Sequence, residues 1–418
     1  MHSLFTGLLL AILIVSAGGV AWSAQVEPPY IALTWSDDPR TTQAITWQTT
    51  DPTLSQIQYS LAGVGNNFSM TAKTLAAERE YIPDRGDTVA VYSALLLDLK
   101  PGTRYAYRLG NGETWREVHF FQTAADNVTQ FKFLIFGDSQ STSYETWHKT
   151  LRQAYQAHPD AAFFTNAGDL VDVGHNFTEW QDWFAASQGV IDRIPVMPFT
   201  GNHEMYTPVW KVNALPALFT ALFQLPLNGP AGLKEQVYSF DYGNVHFVML
   251  DSQEREEKQF IPDMLNKQRD WLEKDLALTD KPWKLVFLHR PPYHSKSATS
   301  NDRIRETFVP LWDKYQVDAV FAGHEHIYAR TYPMYADRIS GQGTVYFTTG
   351  RSGTKYYGQA EANVWDEVFY NPSDQPNYLT VQLTGNTLTV KAWQQDGKLI
   401  DEWQVDKSAP ARLRIAAN

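Results

Sequence analysis

The sequence predicts an all-β sandwich followed by a larger α/β domain. From residue 28 to residue 124, short segments rich in aromatic and β-branched residues alternate with turn-forming residues, which is the pattern of antiparallel strands. Beyond residue 130, uninterrupted apolar runs alternate with helical patterns, which is the pattern of strands buried between helices. A chain of 418 residues also exceeds the usual size of one domain, about 150 residues, so two domains are expected.

Residues 1–24 have the pattern of a secretory signal peptide. An apolar core from Leu8 to Val15 precedes small residues, and cleavage is expected after Ser23 or Ala24. Because no Lys or Arg precedes the core, an uncleaved membrane anchor is the alternative, although the run is shorter than the roughly 20 residues of a membrane span. The chain contains no cysteine, and a secreted chain without disulfides fits a bacterial periplasm better than a eukaryotic secretory route. We therefore expect a secreted or periplasmic bacterial protein without a stable membrane anchor.

Residues 28–124 contain five strand-like segments. They are QAITWQT, SQIQYSL, TVAVYSALLLDL, TRYAYRLG and REVHFFQT. Turn formers such as Lys100-Pro101-Gly102 separate them, and their spacing fits an antiparallel sandwich of about 100 residues. The stretch LLLDLKPGTRYAYRLG resembles the strand–turn–strand of a fibronectin type III domain. No side chain here has the character of a reactive group, so we expect a structural or dimerising domain, with adhesion to a carbohydrate or a partner as the alternative.

Residues 130–406 form the predicted α/β domain, and residues 407–418 form the predicted C-terminal tail. The runs FKFLIFG, AAFFTNAG and WKLVFLH are typical of strands that are buried on both faces. The segments ETWHKTLRQAYQAH and QRDWLEKDLAL are typical of helices. The last part of the domain returns to antiparallel hairpins, with turns at Gly385-Asn386 and Asp396-Gly397.

A metal-capable side chain follows each of five apolar runs in this domain. The residues are Asp138, Asp169, Asn202 with His203, His289, and His324 with His326. Three of the separations, 138 to 169, 169 to 202 and 289 to 324, are 31, 33 and 35 residues by subtraction, which is about one β–α–β crossover each. Because α/β sheets gather their ligands at the carboxyl ends of their strands, we expect these side chains to meet in space.

This set of side chains has the chemistry of a binuclear metal site. Three His, two Asp and one Asn offer the mixed nitrogen and oxygen donors that suit Fe, Zn or Mn, without the thiolates of a structural zinc site. Two metals about 3.5–4 Å apart, joined by a bridging carboxylate, can clamp a phosphoryl group. The alternative is a set of unrelated capping Asp and core His residues, but five runs with suitable residue types disfavour it. The net charge of −11 argues against non-specific nucleic-acid binding.

The motifs resemble those of a known superfamily. GDSQ, GDLVD, GNHE, VFLHRPPY and GHEH stand in the order of the calcineurin-like metallophosphoesterases. With the fibronectin-like domain in front, the chain resembles purple acid phosphatase relatives of the bacterial kind. The resemblance implies a four-layer α+β sandwich for the second domain and an acid phosphatase that hydrolyses phosphate monoesters by attack of a metal-bound hydroxide. It also implies two divalent or trivalent metal ions, a small phosphorylated substrate, and a homodimer as an alternative to a monomer.

The resemblance assigns one bridging ligand and two sets of terminal ligands. Asp169 would bridge both metals. The terminal ligands would be Asn202, His289 and His324 for one metal, and Asp138 and His326 for the other.

The resemblance also assigns two substrate-facing histidines. His203 would contact the substrate phosphate and protonate the leaving oxygen, which an imidazole of ordinary pKa can do. His294 stands where relatives have a second such imidazole, and an exposed loop histidine is the alternative. Tyr328 and Arg330 are expected to support the loop and not to bind metal.

Two positions depart from the family pattern. Purple members have a Tyr three residues after the bridging Asp, and its charge transfer to ferric iron gives the colour; here that position is Asp172. Non-purple members usually have a His two residues after the first Asp, and here that position is Gln140. Three completions of this metal site stay open: the amide oxygen of Gln140, a water molecule, or an indirect contribution of Asp172 through a hydrogen bond.

Two further functions stay open as alternatives. A phosphodiesterase or nucleotidase would use the same metal ligands. A binding protein that has lost efficient catalysis and presents its β domain to a partner is favoured by the depleted first metal site, but the six retained ligands and His203 disfavour it.

Overall fold

A computed structural model describes residues 30–63, 68–84, 87–294 and 301–408. The predicted signal peptide, residues 1–24, lies outside the described residues, as do residues 409–418 of the predicted tail. Within the described ranges, every helix is too short or too polar to cross a lipid bilayer.

The first unit is all-β, as predicted. It consists of two four-stranded antiparallel sheets, in the orders β1-β2-β6-β5 and β4-β3-β7-β8, and one short helix. The bounds are β1 Tyr30–Thr34, β2 Gln43–Thr49, β3 Gln56–Leu61, α1 Phe68–Thr71, β4 Lys73–Ala76, β5 Glu78–Asp84, β6 Asp87–Leu96, β7 Arg104–Gly110 and β8 His119–Gln122. All five segments that the sequence singled out contain one of these strands. Strands β1, β4 and β5 lie outside them.

The all-β unit is packed firmly against the second unit. Trp35, which follows β1, is buried, and its ring centroid lies 5.3 Å from that of Phe163 and 5.4 Å from that of Tyr242. The backbone of Leu33 donates to the carbonyl of Ile191 at 3.0 Å and accepts from Val196 at 2.8 Å. The core of the second unit therefore extends into the all-β unit, which also has a separate core of its own, and a backbone hydrogen-bond pair joins the two units.

The second unit is an α/β sandwich. Its strands and helices are β9 Gln130–Phe136, α2 Glu145–Ala157, β10 Ala161–Asn166, α3 Phe177–Ser187, α4 Ala217–Leu222, β11 Tyr238–Tyr242, β12 Val245–Met249, α5 Glu254–Glu257, α6 Met264–Leu278, β13 Trp283–Leu288, α7 Asp302–Tyr315, β14 Ala319–Ala322, β15 Tyr328–Thr331, β16 Met334–Tyr335, β17 Arg338–Ile339, β18 Val345–Thr349, β19 Asp366–Tyr370, β20 Asn377–Thr384, β21 Thr387–Gln394 and β22 Leu399–Asp406. The sheet orders are β10-β9-β20-β21-β22 and β11-β12-β13-β14-β18-β15-β19.

These elements form four layers, which confirms the predicted architecture. Helices α2 and α3 cover the outer face of the five-stranded sheet, where Phe136 meets Trp147 edge-on at 5.1 Å. Helices α6 and α7 cover the outer face of the seven-stranded sheet in a separate cluster that includes Leu272 and Trp312. The predicted C-terminal hairpins extend the five-stranded sheet, because β20 pairs with β9.

A row of phenylalanines holds the two sheets together. Phe247, Phe287 and Phe321 stand on neighbouring strands of the seven-stranded sheet and face inward. The ring of Phe133, on the five-stranded sheet, lies 5.3 Å from Phe247 and 6.5 Å from Phe287. Because aromatic side chains bury a large apolar area each, this layer keeps the two sheets at a constant separation and so aligns their strand ends.

Two of the three predicted crossovers are present and the third is incomplete. Strand β10 pairs parallel with β9, and α2 connects the two strands. Strand β14 pairs parallel with β13, and α7 lies in the connection between them. The apolar run before Asn202, PVMPFTG (195–201), was expected to be a strand like the other four runs. This expectation is wrong, since the segment makes a single bridge, between Phe164 and Val196. Pro195 and Pro198 have no N–H and cannot extend a ladder. The segment still lies beside β10 and delivers Asn202 to the same edge.

A buried histidine ties the edge of the seven-stranded sheet to α6. In His246, Nδ1 lies 2.7 Å from a carboxylate oxygen of Asp241 and Nε2 lies 2.8 Å from one of Asp275. Burial alone would lower the pKa of His246, but hydrogen bonds to the two carboxylates outweigh it and raise the pKa to about 9. The imidazolium therefore stabilises the fold fully below pH 6.5, and this stabilisation is lost as the pH rises through about 9.

Replacing His246 with Gln should lower the free energy of unfolding by about 1.5–3 kcal/mol at acidic pH, because bonds to a charged group are lost. The difference from the wild type should shrink above pH 9. Urea denaturation on both sides of this range measures it. His158→Gln is the control: burial lowers the pKa of His158, so its contribution must fall at acidic pH. An equal cost of His246→Gln at both ends would contradict the ion-pair explanation.

Candidate metal centre

The structure brings all six predicted ligands together at the strand ends. Two groups have ligand atoms within 4.8 Å of one another: Asp169 with His289 and His324, and Asp138 with Asp169 and His326. Asp169 belongs to both groups. The sixth residue, Asn202, has its Oδ1 atom 3.2 Å from Nε2 of His289.

Four of these six residues have a left-handed backbone. The φ angles are 34° at Asp138, 52° at Asp169, 70° at His324 and 53° at His326. Residues other than glycine rarely adopt positive φ, and such backbone strain concentrates at functional sites. The turn after each strand therefore aims its side chain toward one point at a conformational cost.

Glycines beside these turns allow the close approach. A Cβ atom on Gly201 would lie 2.3 Å from a carboxylate oxygen of Asp169, and one on Gly323 would lie 2.5 Å from a carboxylate oxygen of Asp138. Both distances are shorter than any contact that two such atoms tolerate. With the ligands placed as they are, only glycine fits at residues 201 and 323.

The carboxylate of Glu204 holds two of the turns together. It accepts hydrogen bonds from the backbone N–H groups of Asp169 at 2.9 Å, Leu170 at 2.8 Å and Gly201 at 2.6 Å. Glu204 is fully buried, and burial together with the nearby charge of Asp169 raises its pKa to about 7. The sequence analysis quoted GNHE but gave Glu204 no role; an acidic residue two positions after the ligand Asn202 was the available signal.

The ring of His289 is oriented so that its Nε2 atom faces the other ligands. Its Nδ1 lies 2.7 Å from the carbonyl oxygen of Ala167, to which it donates. Its Nε2 lies 3.2 Å from a carboxylate oxygen of Asp169 and 3.2 Å from Oδ1 of Asn202. The amide of Asn202 donates to the hydroxyl of Tyr206 at 2.9 Å, which turns its oxygen toward the cluster. The oxygen atoms of Asp169 and Asn202 therefore both face Nε2 of His289. Two acceptor oxygens cannot hydrogen-bond to each other, whereas a cation can bind both.

The amide of Gln140 lies beside the shared carboxylate. Its nitrogen donates to Asp169 at 3.2 Å. Its oxygen is buried and finds no hydrogen-bond partner in the described part of the chain. A buried acceptor without a partner calls for an explanation, and a metal ion at this end of the cluster supplies one. The donor set and this oxygen both fit a binuclear centre.

Asp172, at the position of the family's tyrosine, is paired with cations and belongs to neither ligand group. One carboxylate oxygen lies 3.1 Å from Nδ1 of His203, and another contact joins it to the ammonium of Lys355. Hydrogen bonds from His203 and Lys355 outweigh partial burial and lower the pKa of Asp172 to about 2. Asp172 is therefore an anionic partner of the two cations.

His203 is held with one nitrogen free for the site. Its Nδ1 lies 2.6 Å from the carbonyl oxygen of Asp172, and its Nε2 lies 3.8 Å from a carboxylate oxygen of Asp169. Burial alone would lower the pKa of His203, but the charge of Asp169 and the hydrogen bond to Asp172 raise it to about 9.

Four of the six predicted ligands line an open cleft of about 580 Å³. The lining residues are Asp169, Asn202, His203, Tyr206, His324, His326, Thr354, Lys355, Tyr356 and Tyr357. The wall from Thr354 to Tyr357 was missed by the sequence analysis, because it follows the last motif and has no periodic pattern. Tyr357 stacks on the ring of His326 at 4.6 Å and donates from its hydroxyl to the carbonyl of His324 at 3.3 Å.

His294 lies behind His324 and is not among the residues that line the cleft. Its Nε2 is 3.0 Å from a carboxylate oxygen of Glu325, and its side chain is buried, so it is not an exposed loop histidine. A substrate-facing role for His294 stays a prediction. Tyr328 and Arg330 both bind the carboxylate of Asp401, at 2.7 Å each, and so join the two sheets beneath the GHEH turn.

The fold and the ligand cluster define a two-domain protein with a candidate binuclear metal centre in a four-layer α/β sandwich. Residues 131–328 match the family model described as calcineurin-like phosphoesterase, and residues 28–123 match that described as purple acid phosphatase, N-terminal domain. These two matches confirm the predicted resemblance to calcineurin-like phosphoesterases that carry the N-terminal domain of the purple acid phosphatases in front.

Relatives with curated names agree with this family. Probable purple acid phosphatase 20 of Arabidopsis thaliana is 28% identical over 61% of this chain and 58% of its own length. Phosphoenolpyruvate phosphatase of Allium cepa is 27% identical over 90% of this chain and 81% of its own length. The matches to three Arabidopsis thaliana purple acid phosphatases span 54–58% of those proteins.

Solved structures share the fold. Purple acid phosphatase PPD1 from yellow lupin matches with a TM-score of 0.73 and 18% identity, over 90% of this chain and 74% of that chain. PhoD matches with a TM-score of 0.61 and 13% identity, over 89% of this chain and 92% of that chain. At these identities the likeness concerns the fold alone.

Replacing Glu204 with Gln should destabilise the metal turns. A glutamine amide has one acceptor oxygen, so at least one of the three backbone N–H groups loses its partner, at a cost of about 1–3 kcal/mol. We expect a lower melting temperature and fewer bound metals per chain, measured by calorimetry and elemental analysis.

The matched control is Glu179→Gln. Glu179 accepts from the backbone N–H groups of Asp172 and Val173 at 2.8 and 3.0 Å, outside the ligand turns. This variant should lose stability and keep its metals. Full metal content in Glu204→Gln would contradict the role given to Glu204.

Proposed function

We propose that this protein is a binuclear metal-dependent phosphatase that hydrolyses phosphate monoesters. The observation that carries the proposal is the convergence of five ligands in two groups that share Asp169, with the sixth, Asn202, beside His289. They meet at a cleft that also holds the basic side chains of His203 and Lys355. The curated relatives named as acid phosphatases support it, and the Allium cepa relative named phosphoenolpyruvate phosphatase supports a monoester substrate.

The metal ligands are proposed as follows. Asp169 would be shared by two ions of Fe, Zn or Mn, and the amide oxygen of Gln140 would add a donor near Asp169. One ion would be held further by Asn202, His289 and His324, and the other by Asp138 and His326. Ions bound there would supply Lewis acidity toward the phosphoryl oxygens and make a water molecule a better nucleophile.

His203 is proposed to protonate the leaving oxygen. Its Nδ1–H bond to the carbonyl of Asp172 fixes the ring, so that Nε2–H can donate into the cleft. Positioned proton transfer of this kind contributes about 10²–10⁴-fold to a rate. The tight pairing with Asp172 keeps the ring from rotating away.

The alternatives differ in how well the residues support them. A phosphodiesterase or nucleotidase would use the same ligands. A binding protein without efficient catalysis is disfavoured, because five histidine and carboxylate ligands converge in two groups that share Asp169, and Gln140 offers an oxygen where the family histidine is missing. Domain bounds at 28–124 and 130–406, with a tail from 407, and a secreted or periplasmic location stay predictions.

Two substitutions test the proposal. Asp169→Asn removes the charge that both ions share, so we expect loss of bound metal and of turnover of an aryl phosphate. His203→Ala should keep both metals and lose about 10²–10⁴-fold in turnover. His158→Ala, remote from the cleft, should keep metals and activity. Turnover near that of the wild type in either site variant would overturn the proposal.

Metal content and colour give an independent test. Elemental analysis should find two metals per chain, and one or none would favour the binding protein. An iron-loaded sample should lack strong tyrosinate-to-iron absorption, because position 172 is an aspartate and the hydroxyl of Tyr357 is engaged by the carbonyl of His324. An intense purple band would show that the first metal site has been assigned the wrong ligands.

A further inference from the structure

One loop supplies the cleft wall that faces the ligand turns. Residues 350–357 follow β18, and four of them line the cleft. Among the ten lining residues in the described part of the chain, Lys355 is the only lysine or arginine. It brings a basic side chain into a cleft whose other titratable acidic and imidazole side chains come from the ligand motifs.

The loop is anchored to the first ligand turn. Ser352 N–H donates to the carbonyl of Gly137 at 2.7 Å, and Gly353 N–H donates to the carbonyl of Asp138 at 3.1 Å. Thr354 N–H donates to the hydroxyl of Ser141 at 3.2 Å. The backbone just before Lys355 is therefore held against the metal centre, and the position of the lysine is set by the same turn that presents Asp138.

The ammonium of Lys355 is paired with Asp172 in an ion pair that a phosphate could replace. It contacts the carboxylate of Asp172, which also contacts His203. The side chains of Lys355 and Asp172 are 31% and 42% exposed, so solvent screens their ion pair, and such pairs contribute little to stability. Charge-assisted bonds to phosphate are stronger, and the lysine stem is flexible enough to reach a new acceptor.

We infer that Lys355 is a substrate-binding residue that contacts a phosphate oxygen and makes the site prefer dianionic phosphate monoesters over monoanionic diesters. The inference rests on the proposed function, which leaves that preference open. Lys355 brings its ammonium group into the cleft beside His203. A monoester carries close to two negative charges at neutral pH, whereas a diester carries one. The additional cation therefore favours the monoester.

Binding of inorganic phosphate to the metal-loaded protein tests the contact without turnover. Calorimetric titration should give a dissociation constant about tenfold higher for Lys355→Gln than for the wild type. Lys398→Gln, an exposed lysine on the far hairpin, should bind phosphate like the wild type. If Lys355 serves only as counter-ion of Asp172, Lys355→Gln will melt earlier and bind phosphate unchanged, which would overturn the inference.

Selectivity tests the substrate class. Lys355→Gln should lose about tenfold in kcat/KM on an aryl phosphate monoester and little on the corresponding diester. Lys355→Arg keeps the charge and should restore most of the monoester activity, which separates lost charge from a folding defect. An equal loss on both esters would overturn the preference. If the wild type hydrolyses neither ester, the proposed function fails, and the phosphate titration still decides the role of Lys355.

Discussion

The left-handed backbone of the ligand turns is the constraint around which the site is built. Positive φ at Asp138, Asp169, His324 and His326 costs about 1–3 kcal/mol at each residue. Against a typical folding free energy of about 5–15 kcal/mol, four such positions persist only where neighbours hold them. The turns hold one another: His324 N–H donates to the carboxylate of Asp138, and His203 N–H donates to that of Asp169, both at 2.9 Å. The three bonds to Glu204 add to this network.

The two-sheet architecture explains why ligands so distant in sequence meet. Asp138 and Asp169 follow strands of the five-stranded sheet, whereas His289 follows a strand of the seven-stranded sheet. The inward-facing phenylalanines keep the sheets in register, so the strand ends of both open on one edge. The Asp401 carboxylate, which binds Tyr328 and Arg330, ties the sheets a second time beneath the GHEH turn. Packing thus determines the distance between ligands that no single sheet could bring together.

The sequence pattern predicted the features that depend on residues close together in the chain. Buried strands, the two long helices, the C-terminal hairpins and the convergence of six ligands all follow from periodicity and from the position of polar residues after apolar runs. The strand assigned to PVMPFTG is wrong because its two prolines remove ladder donors, a signal that the apolar character outweighed. Lys355 was missed for a different reason: its partner Asp172 lies 183 residues away in sequence, and an isolated lysine gives no local sign of a distant partner. Glu204 stands close to the predicted ligand Asn202, but two of its three partners lie 35 and 34 residues away in sequence.

Asp172, which stands where purple members of the family have a tyrosine, is explained by its contact with Lys355. A carboxylate in place of the family's tyrosine would add negative charge beside a metal centre that already holds Asp138 and Asp169. Here Lys355 and His203 compensate the charge of the Asp172 carboxylate. The backbone carbonyl of Asp172 also accepts a hydrogen bond from His203 and so orients its imidazole. The loop that carries Lys355 is held by the turn that carries Asp138. Asp172, Lys355 and His203 are thus parts of one electrostatic arrangement, in which the aspartate that stands where purple members of the family have a tyrosine holds two basic side chains at the cleft.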